Sequence, residues 1–303
     1  MEARRCTDPA DIRAIQSLAS RLWPLGWHPG GLGWALARGQ LAEEVVLFGE
    51  MPALAGWVAR GMDEPGYLLA QVDPDRPDVA RAVVEWFLGN GGEPDMTIEV
   101  ADGDSLLLSA LKNAGFEPAG SVLGMRRRAR HEPNVLPTGY TLRSVRSDET
   151  PARVEVHRAA WLPASLPYAA RHRPPVEPGA TSSFTAAAYQ AVRETWPYRP
   201  ELDLVAVDAE GSLAACCIAW FDPATGVAEI EPLGVVPEHR GRGLASALCL
   251  EVAARVADAG GTEVFINTGP RDEYPAPGRA YAKAGFEVFR RTGTYTRVGA
   301  GGG

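Results

Sequence analysis

The second half of the chain alternates short apolar runs with clusters of turn-forming residues. Leu204–Val207, Leu213–Phe221 and Val227–Val236 are apolar, and Asp208–Gly211 and Asp222–Gly226 separate them. Such runs, broken by Asp, Gly and Pro, predict three strands joined as an antiparallel meander. The period then changes. Leu244, Leu248, Val252 and Val256 recur every four residues, which predicts a helix with one buried face, and Gly260-Gly261 ends it. Val264–Ile266 reads as a further buried strand. Upstream, Tyr140–Arg143 reads as a short strand, Thr150–Trp161 as a helix and Ser183–Glu194 as a second helix. The fold class is α/β (α+β), a mixed, mostly antiparallel sheet flanked by helices.

The first half repeats this pattern in diverged form. Ala110-Leu111-Lys112-Asn113-Ala114-Gly115-Phe116-Glu117 matches Ala280-Tyr281-Ala282-Lys283-Ala284-Gly285-Phe286-Glu287. Ala70-Gln71-Val72-Asp73-Pro74-Asp75 stands where Leu233-Gly234-Val235-Val236-Pro237-Glu238 stands, and each heads into a helix. Both Arg4–Asp8 and Arg143–Asp148 precede an amphipathic helix. Two tandem domains follow, over residues 1–130 and 139–298. The boundary falls in Arg126–Thr138, RRRARHEPNVLPT, whose arginines and prolines suit an exposed connector or a strand end.

Composition narrows the function classes. A chain of 303 residues accommodates two domains, and 46% hydrophobic with 22% charged residues predicts a soluble globular protein. A net charge of -8 argues against a general nucleic-acid binder, while leaving room for a local basic patch. No run of 18 apolar residues and no apolar signal core at the N-terminus are present, so a cytoplasmic protein without membrane contact is expected. The cysteines, Cys6, Cys216, Cys217 and Cys249, lack C-x-x-C spacing and read as free thiols; the five histidines form no H-x-x-H pattern, so no metal site is expected. Monomer and homodimer are both compatible with the sequence.

The candidate chemistry lies in Val235–Ala245. An apolar strand ends at Pro237, a loop with Arg240, Gly241, Arg242 and Gly243 follows, and a helix starts at Leu244. Glycines allow tight or left-handed backbone and close approach of a ligand. The helix start offers unpaired N–H groups and the positive end of its dipole. Together they make a cradle for a phosphate or pyrophosphate.

Arg240, Gly243 and Ala245 fit R-x-x-G-x-[GA], and Ala280–Phe286 fits a late helix-and-turn motif about 40 residues on. In these two motifs the chain resembles the GCN5-related N-acetyltransferase (GNAT) family. In architecture it resembles the family's tandem two-domain type, such as mycothiol synthase. The resemblance implies acetyl-CoA as co-substrate, bound by the C-terminal domain. Leu233, Gly234 and Val235 would pair with the pantetheine arm. Backbone N–H groups from Arg240 to Ala245, through Gly241, Arg242, Gly243 and Leu244, would hold the pyrophosphate. The side chains of Arg240 and Arg242 either add charge there or are solvated.

Glu229 and Glu231 alternate with Ile230, so both point to one face, which is expected to continue through Leu233 to Val235. Acetyl transfer needs a base, and either glutamate can serve, Glu229 by its place in the resemblance and Glu231 by its nearness to the expected thioester, with Glu229 placed slightly ahead. A backbone N–H near Val235 would stabilise the thioester oxygen. Tyr281 matches the family tyrosine that protonates the leaving thiolate. The family often has Asn about seven residues before that tyrosine; Tyr274 stands there, inside the Pro-rich Arg271–Gly278, and Asn267 either substitutes or caps a turn.

In the first half, Arg76-Pro77-Asp78-Val79 replaces the glycine loop and Leu111 replaces Tyr281. Pro77 removes a donor and Asp78 repels phosphate, so that domain is expected to be non-catalytic, a scaffold or one wall of the acceptor site, with weak binding of a vestigial cofactor left open. The acceptor is expected to be a small-molecule amine, with no nucleic-acid partner. Transfer of another acyl group or to a hydroxyl, or a CoA-binding sensor or scaffold without turnover, are the alternatives.

Overall fold

The structure, a computed structural model, describes residues 3–38, 41–50, 53–61, 66–90, 95–269 and 272–299. The chain divides into two compact units, residues 1–122 with 290–303, and residues 123–289. Among the described residues there are eight α-helices, and a 3-10 turn at Pro237–His239 precedes the candidate loop.

The first unit holds β1 (Ala3–Arg5), α1 (Pro9–Leu22), α2 (Pro29–Ala37), β2 (Leu41–Phe48), β3 (Gly56–Gly61), β4 (Tyr67–Val72), α3 (Pro77–Asn90), β5 (Met96–Ala101) and α4 (Ser105–Asn113). Its sheet runs β1-β2-β3-β4-β5 and closes with the far end of β12 (Glu287–Arg297), where Thr292–Arg297 pair antiparallel with β5. α1 starts where it does because Asp8 caps it, accepting from Ala10 N at 2.7 Å, with Pro9 in the first turn, where a missing N–H costs nothing.

The second unit holds the end of β6 (Glu117–Arg128), then β7 (Thr141–Ser144), α5 (Thr150–Ala160), α6 (Ala186–Glu194), β8 (Asp203–Val207), β9 (Leu213–Asp222), β10 (Val227–Val235), α7 (Leu244–Asp258), β11 (Glu263–Thr268) and α8 (Pro275–Lys283). Its sheet order is β6-β11-β10-β9-β8-β7, antiparallel except for β10 beside β11. The meander, α7 and β11 fall where the apolar pattern places them. α6 starts three residues later than its pattern suggests, because Thr185 caps it by accepting from Ala188 N at 3.1 Å. Arg126–Arg128 form the end of β6, paired with Phe265, Val264 and Glu263. Arg127 turns inward and bonds Ala284 O and the Glu132 carboxylate.

Two apolar layers sandwich the second sheet. Leu204, Ala228, Ile230, Leu248 and Val252 are buried in the cluster that α7 covers. Val156 of α5 packs on Val205, Val207 and Cys216 on the other face. The three buried thiols, Cys216, Cys217 and Cys249, are pushed up by burial and stay protonated.

β10 does not keep the expected alternation through to Val235. Ile230 lies opposite Ala219 but Leu233 lies opposite Cys217, so one extra residue is accommodated between them. This β-bulge reverses the alternation of sides. Leu233 and Val235 therefore pack on the α7 cluster with Ile230, and not on the side of Glu229 and Glu231. Pro232, with no N–H to give a ladder, sits inside the bulge.

Candidate active site

β10 and β11 pair only over Val227–Glu229 with Glu263–Phe265, although β10 continues to Val235 and β11 to Thr268. Beyond Glu229 the two parallel strands part. Val236 N–H donates to Ala214 O at 3.0 Å, which fixes the ladder phase between β10 and β9. Ladder bonds then fall at Gly234, and Leu233 and Val235 turn their backbone groups toward the gap. The Val235 carbonyl is already used, accepting from Arg240 Nε at 3.0 Å. The N–H and C=O of Leu233 and the N–H of Val235 line the gap.

A cavity of about 570 Å³ occupies this gap. One end is the glycine loop. Gly241 and Gly243 have φ of +75° and +91°, a left-handed backbone that side chains disfavour. Among the described residues a Cβ at either glycine would meet no atom within 4 Å, so the need for glycine is conformational. Gly243 is the N-cap of α7 and no side chain caps the helix, which leaves the first-turn amides of a 15-residue helix facing the cavity near Leu244 and Ala245.

Arg240 is bonded to the chain itself. Its guanidinium also donates to Ala160 O at 2.9 Å and to Ser165 O, so it ties the loop to the segment after α5. Arg242 is exposed, with a 3.4 Å contact to Glu238 O, and does not line the cavity. The loop thus joins strand, helix and the 160–165 segment through one side chain that the sequence offered as a phosphate ligand.

The two glutamates part company. Glu229 is 3% exposed, lies opposite Trp220 and accepts from Asn267 Nδ2 at 3.2 Å; it lies outside the cavity lining. Glu231 sits in the bulge and lines the cavity. The Glu231 carbonyl accepts the indole N–H of Trp220 from the neighbouring strand, which supplies a partner where the bulge interrupts the ladder. Trp220 carries no sequence signal beyond an aromatic in an apolar run, since its partner is set by register alone.

Tyr281 lines the cavity from α8 and is 6% exposed. Burial, with Cys249 and Glu231 nearby, holds its phenol well above the usual range, so it remains a hydrogen donor. Phe286 N–H donates to Tyr281 O at 3.0 Å, the tertiary form of the late helix-and-turn motif. Ser246 fastens α7 to α8 by donating to Ala280 O at 2.8 Å. Tyr274 lines the cavity, and its ring lies 4.9 Å from that of Tyr168. Arg271 lies outside the described residues. Asn267 lines the cavity too, with its amide on Glu229.

Trp161 covers β10 from the α5 side. A Cβ on Gly234 would fall 2.2 Å from its Cζ3, so a glycine is needed for the ring to lie against the strand. Among the described residues, no cluster of three or more His, Cys, Asp or Glu is placed to hold a metal ion, and no helix is long and apolar enough to cross a membrane.

Residues 169–286 match the model of the acetyltransferase (GNAT) family. A search of curated proteins gave no match. Among solved structures, the fold is similar to a GCN5-related N-acetyltransferase from Sphaerobacter thermophilus, with 21% identity, TM-score 0.61, and 98% of this chain and 95% of that one covered. It is also similar to a GNAT-family acetyltransferase from Colwellia psychrerythraea, at 15% identity, TM-score 0.63, and 98% and 99% coverage. A tandem GNAT protein from the clavulanic acid biosynthesis pathway aligns over 100% of this chain and 99% of that one, at 15% identity and TM-score 0.63. The fold is therefore the tandem GNAT fold, and residues 169–286 of the second unit are similar to the acetyltransferase (GNAT) family domain.

Proposed function

We propose that the chain is an acetyl-CoA-dependent N-acetyltransferase acting on the amine of a small molecule. The observation that carries this reading is one cavity with an uncapped helix start at one end and Glu231 and Tyr281 on its walls. The N–H groups of α7 and the glycine loop suit a pyrophosphate. The backbone groups of Leu233 and Val235 that face the gap suit the amides of a pantetheine arm.

Acetyl-CoA supplies a thioester, an acyl group already activated for transfer. Of the two glutamates, Glu231 lines the cavity and Glu229 does not, which supports Glu231 as the base that takes the proton of the attacking amine. The amine nitrogen bonds to the thioester carbon, and the C–S bond breaks. Val235 N–H is the candidate donor to the carbonyl oxygen as charge builds. Tyr281 O–H gives its proton to the departing sulfur. A phenol held above its ordinary range by burial stays protonated until that step.

Free-thiol release across a panel of small amines and alcohols, with acetyl-CoA and longer acyl-CoAs, tests the reading. With the accepted amine, Glu231→Gln is expected to lower kcat by about 10²–10⁴-fold, the usual contribution of a positioned base. Tyr281→Phe is expected to lower kcat with little change in acetyl-CoA affinity. Turnover that survives Glu231→Gln would remove Glu231 from the mechanism. Calorimetric binding of acetyl-CoA with no thiol released for any acceptor would favour a sensor.

A further inference from the structure

The first unit contains the counterpart of this gap. β4 and β5 pair only at Tyr67–Thr97 and Leu68–Ile98, and then part as β10 and β11 do. The ladder phase is the same as well. Asp73 N–H donates to Ala55 O at 2.8 Å, as Val236 N–H does to Ala214 O, so Ala70 and Val72 turn their backbone groups toward the opening. By backbone alone, this unit has a second place for a pantetheine arm.

The contents of that opening differ. The turn after α1, Trp23–Gly26, crosses it. The Leu25 carbonyl accepts from Gln71 Nε2 of β4 at 3.2 Å, and a Cβ on Gly26 would fall 2.9 Å from the same nitrogen. On the far side, Leu25 Cδ2 would lie 2.7 Å from a Cβ on Gly103, just past β5. One residue therefore touches both lips. Gln71 holds the position that Gly234 holds in the second unit, so a polar side chain that grips the turn stands where a glycine accommodates Trp161.

The turn is fastened from outside. Arg290 donates to Pro24 O at 2.9 Å and to Gly26 O at 2.6 Å, and its guanidinium lies 4.8 Å from the Trp23 ring centroid. Arg21, at the end of α1, bonds Asp73 Oδ2 at 2.5 Å and Leu54 O at 2.8 Å, which fixes the helix to the end of β4. The helix start is also taken. Pro77 opens α3 without an N–H, and the Asp78 carboxylate lies in its first turn, paired with Arg76 at 2.7 Å. Val79 N–H and Ala80 N–H both donate to Arg76 O.

We infer that the first unit carries its own Leu25 turn in place of a cofactor, so that each chain binds one acyl-CoA, in the second unit only. The turn supplies a carbonyl to β4, a side chain to the far lip and guanidinium-bonded carbonyls at its back. A pantetheine arm would have to displace all of these and would still find an acidic helix start. This inference rests on the acyl-CoA reading of the second unit, but the closed state of the first opening does not.

Isothermal titration of the full chain with acetyl-CoA, combined with hydrogen exchange, tests both parts. One equivalent is expected to bind, and Gly243→Asp is expected to remove that binding. Exchange at Ala70 and Val72 is expected to be slow without ligand and unchanged by acetyl-CoA, while Leu233 and Val235 gain protection. Two equivalents, binding retained by Gly243→Asp, or ligand protection at Ala70 and Val72 would each overturn the inference. If acetyl-CoA does not bind at all, the functional reading fails. The exchange rates still decide the rest: slow exchange at Ala70 and Val72 supports closure by the turn, and fast exchange refutes it.

Discussion

Replacing Gly243 with Asp is expected to weaken acetyl-CoA binding by at least about 100-fold while leaving the chain folded. Three effects combine. A non-glycine residue at φ +91° costs about 1–3 kcal/mol. Aspartate is among the best N-cap residues, contributing about 0.5–2 kcal/mol when its carboxylate accepts first-turn amides. The capping contribution belongs to an extended N-cap backbone and Gly243 is left-handed, so it offsets the strain in part only; a Cβ there meets nothing within 4 Å among the described residues, and the melting temperature should fall by only a few degrees. The third effect has no compensation. The new carboxylate stands beside the amides proposed for the pyrophosphate and repels it; two like unit charges about 4 Å apart at an effective dielectric of about 20 repel by about 4 kcal/mol. Each 1.4 kcal/mol is about tenfold in affinity. Calorimetry with acetyl-CoA reads the loss. Unaltered affinity in a folded variant would remove the loop from the binding site.

The largest stability effect is expected at Asp203. Arg153 of α5 is fully buried, and its Nε donates to Asp203 Oδ1 at 3.0 Å. Tyr189 and Tyr198 donate to the other oxygen at 2.7 and 3.1 Å. Burial first, and the Asp203 carboxylate next, hold both phenols above their usual range, so they stay donors. Among the described residues Arg153 Nη1 and Nη2 have no hydrogen-bond partner, so Asp203 is the charge that compensates the guanidinium. Asp203→Ala leaves a buried cation alone and is expected to cost about 3–5 kcal/mol. At about 2–4 °C per kcal/mol for a domain of this size, the melting temperature should fall by about 6–20 °C. Removing the cation too, in Arg153→Met with Asp203→Leu, is expected to restore much of the loss, because apolar residues of similar volume often replace a buried pair at little cost. Differential scanning calorimetry of the single and double variants checks this. Equal loss in both would mean that packing, and not the stranded charge, sets the cost.

The features legible in the sequence are those whose parts are contiguous. A strand end, two glycines and a helix start occupy eleven consecutive residues at Val235–Ala245, so the cradle can be read from residue order. The repeat is legible for the same reason, as Ala114-Gly115-Phe116 and Ala284-Gly285-Phe286 are local turns. What depends on register is not. An extra residue at Glu231-Pro232 leaves the apolar pattern of β10 intact but changes which side Leu233 and Val235 face. The different surroundings of Glu229 and Glu231 depend on cross-strand partners, Trp220 and Asn267, that lie 9–11 and 38 residues away. Arg240 reads as a cation for phosphate until its three carbonyl partners, two of them 75 and 80 residues distant, are known. Arg126–Arg128 read as either a connector or a strand end because charge masks the alternation, and only the register with β11 shows that Arg127 points inward from a strand.

The two long strands that finish the sheets come from far along the chain. Thr292–Arg297 cover the edge of β5, and Leu123–Arg128 cover the edge of β11. A gene split in the 129–139 segment would therefore yield an N-terminal fragment with a bare strand edge, the kind that recruits foreign strands and drives aggregation. Recombination at that tempting linker would not shuffle one half freely among homologues, and the two repeats have to be inherited together.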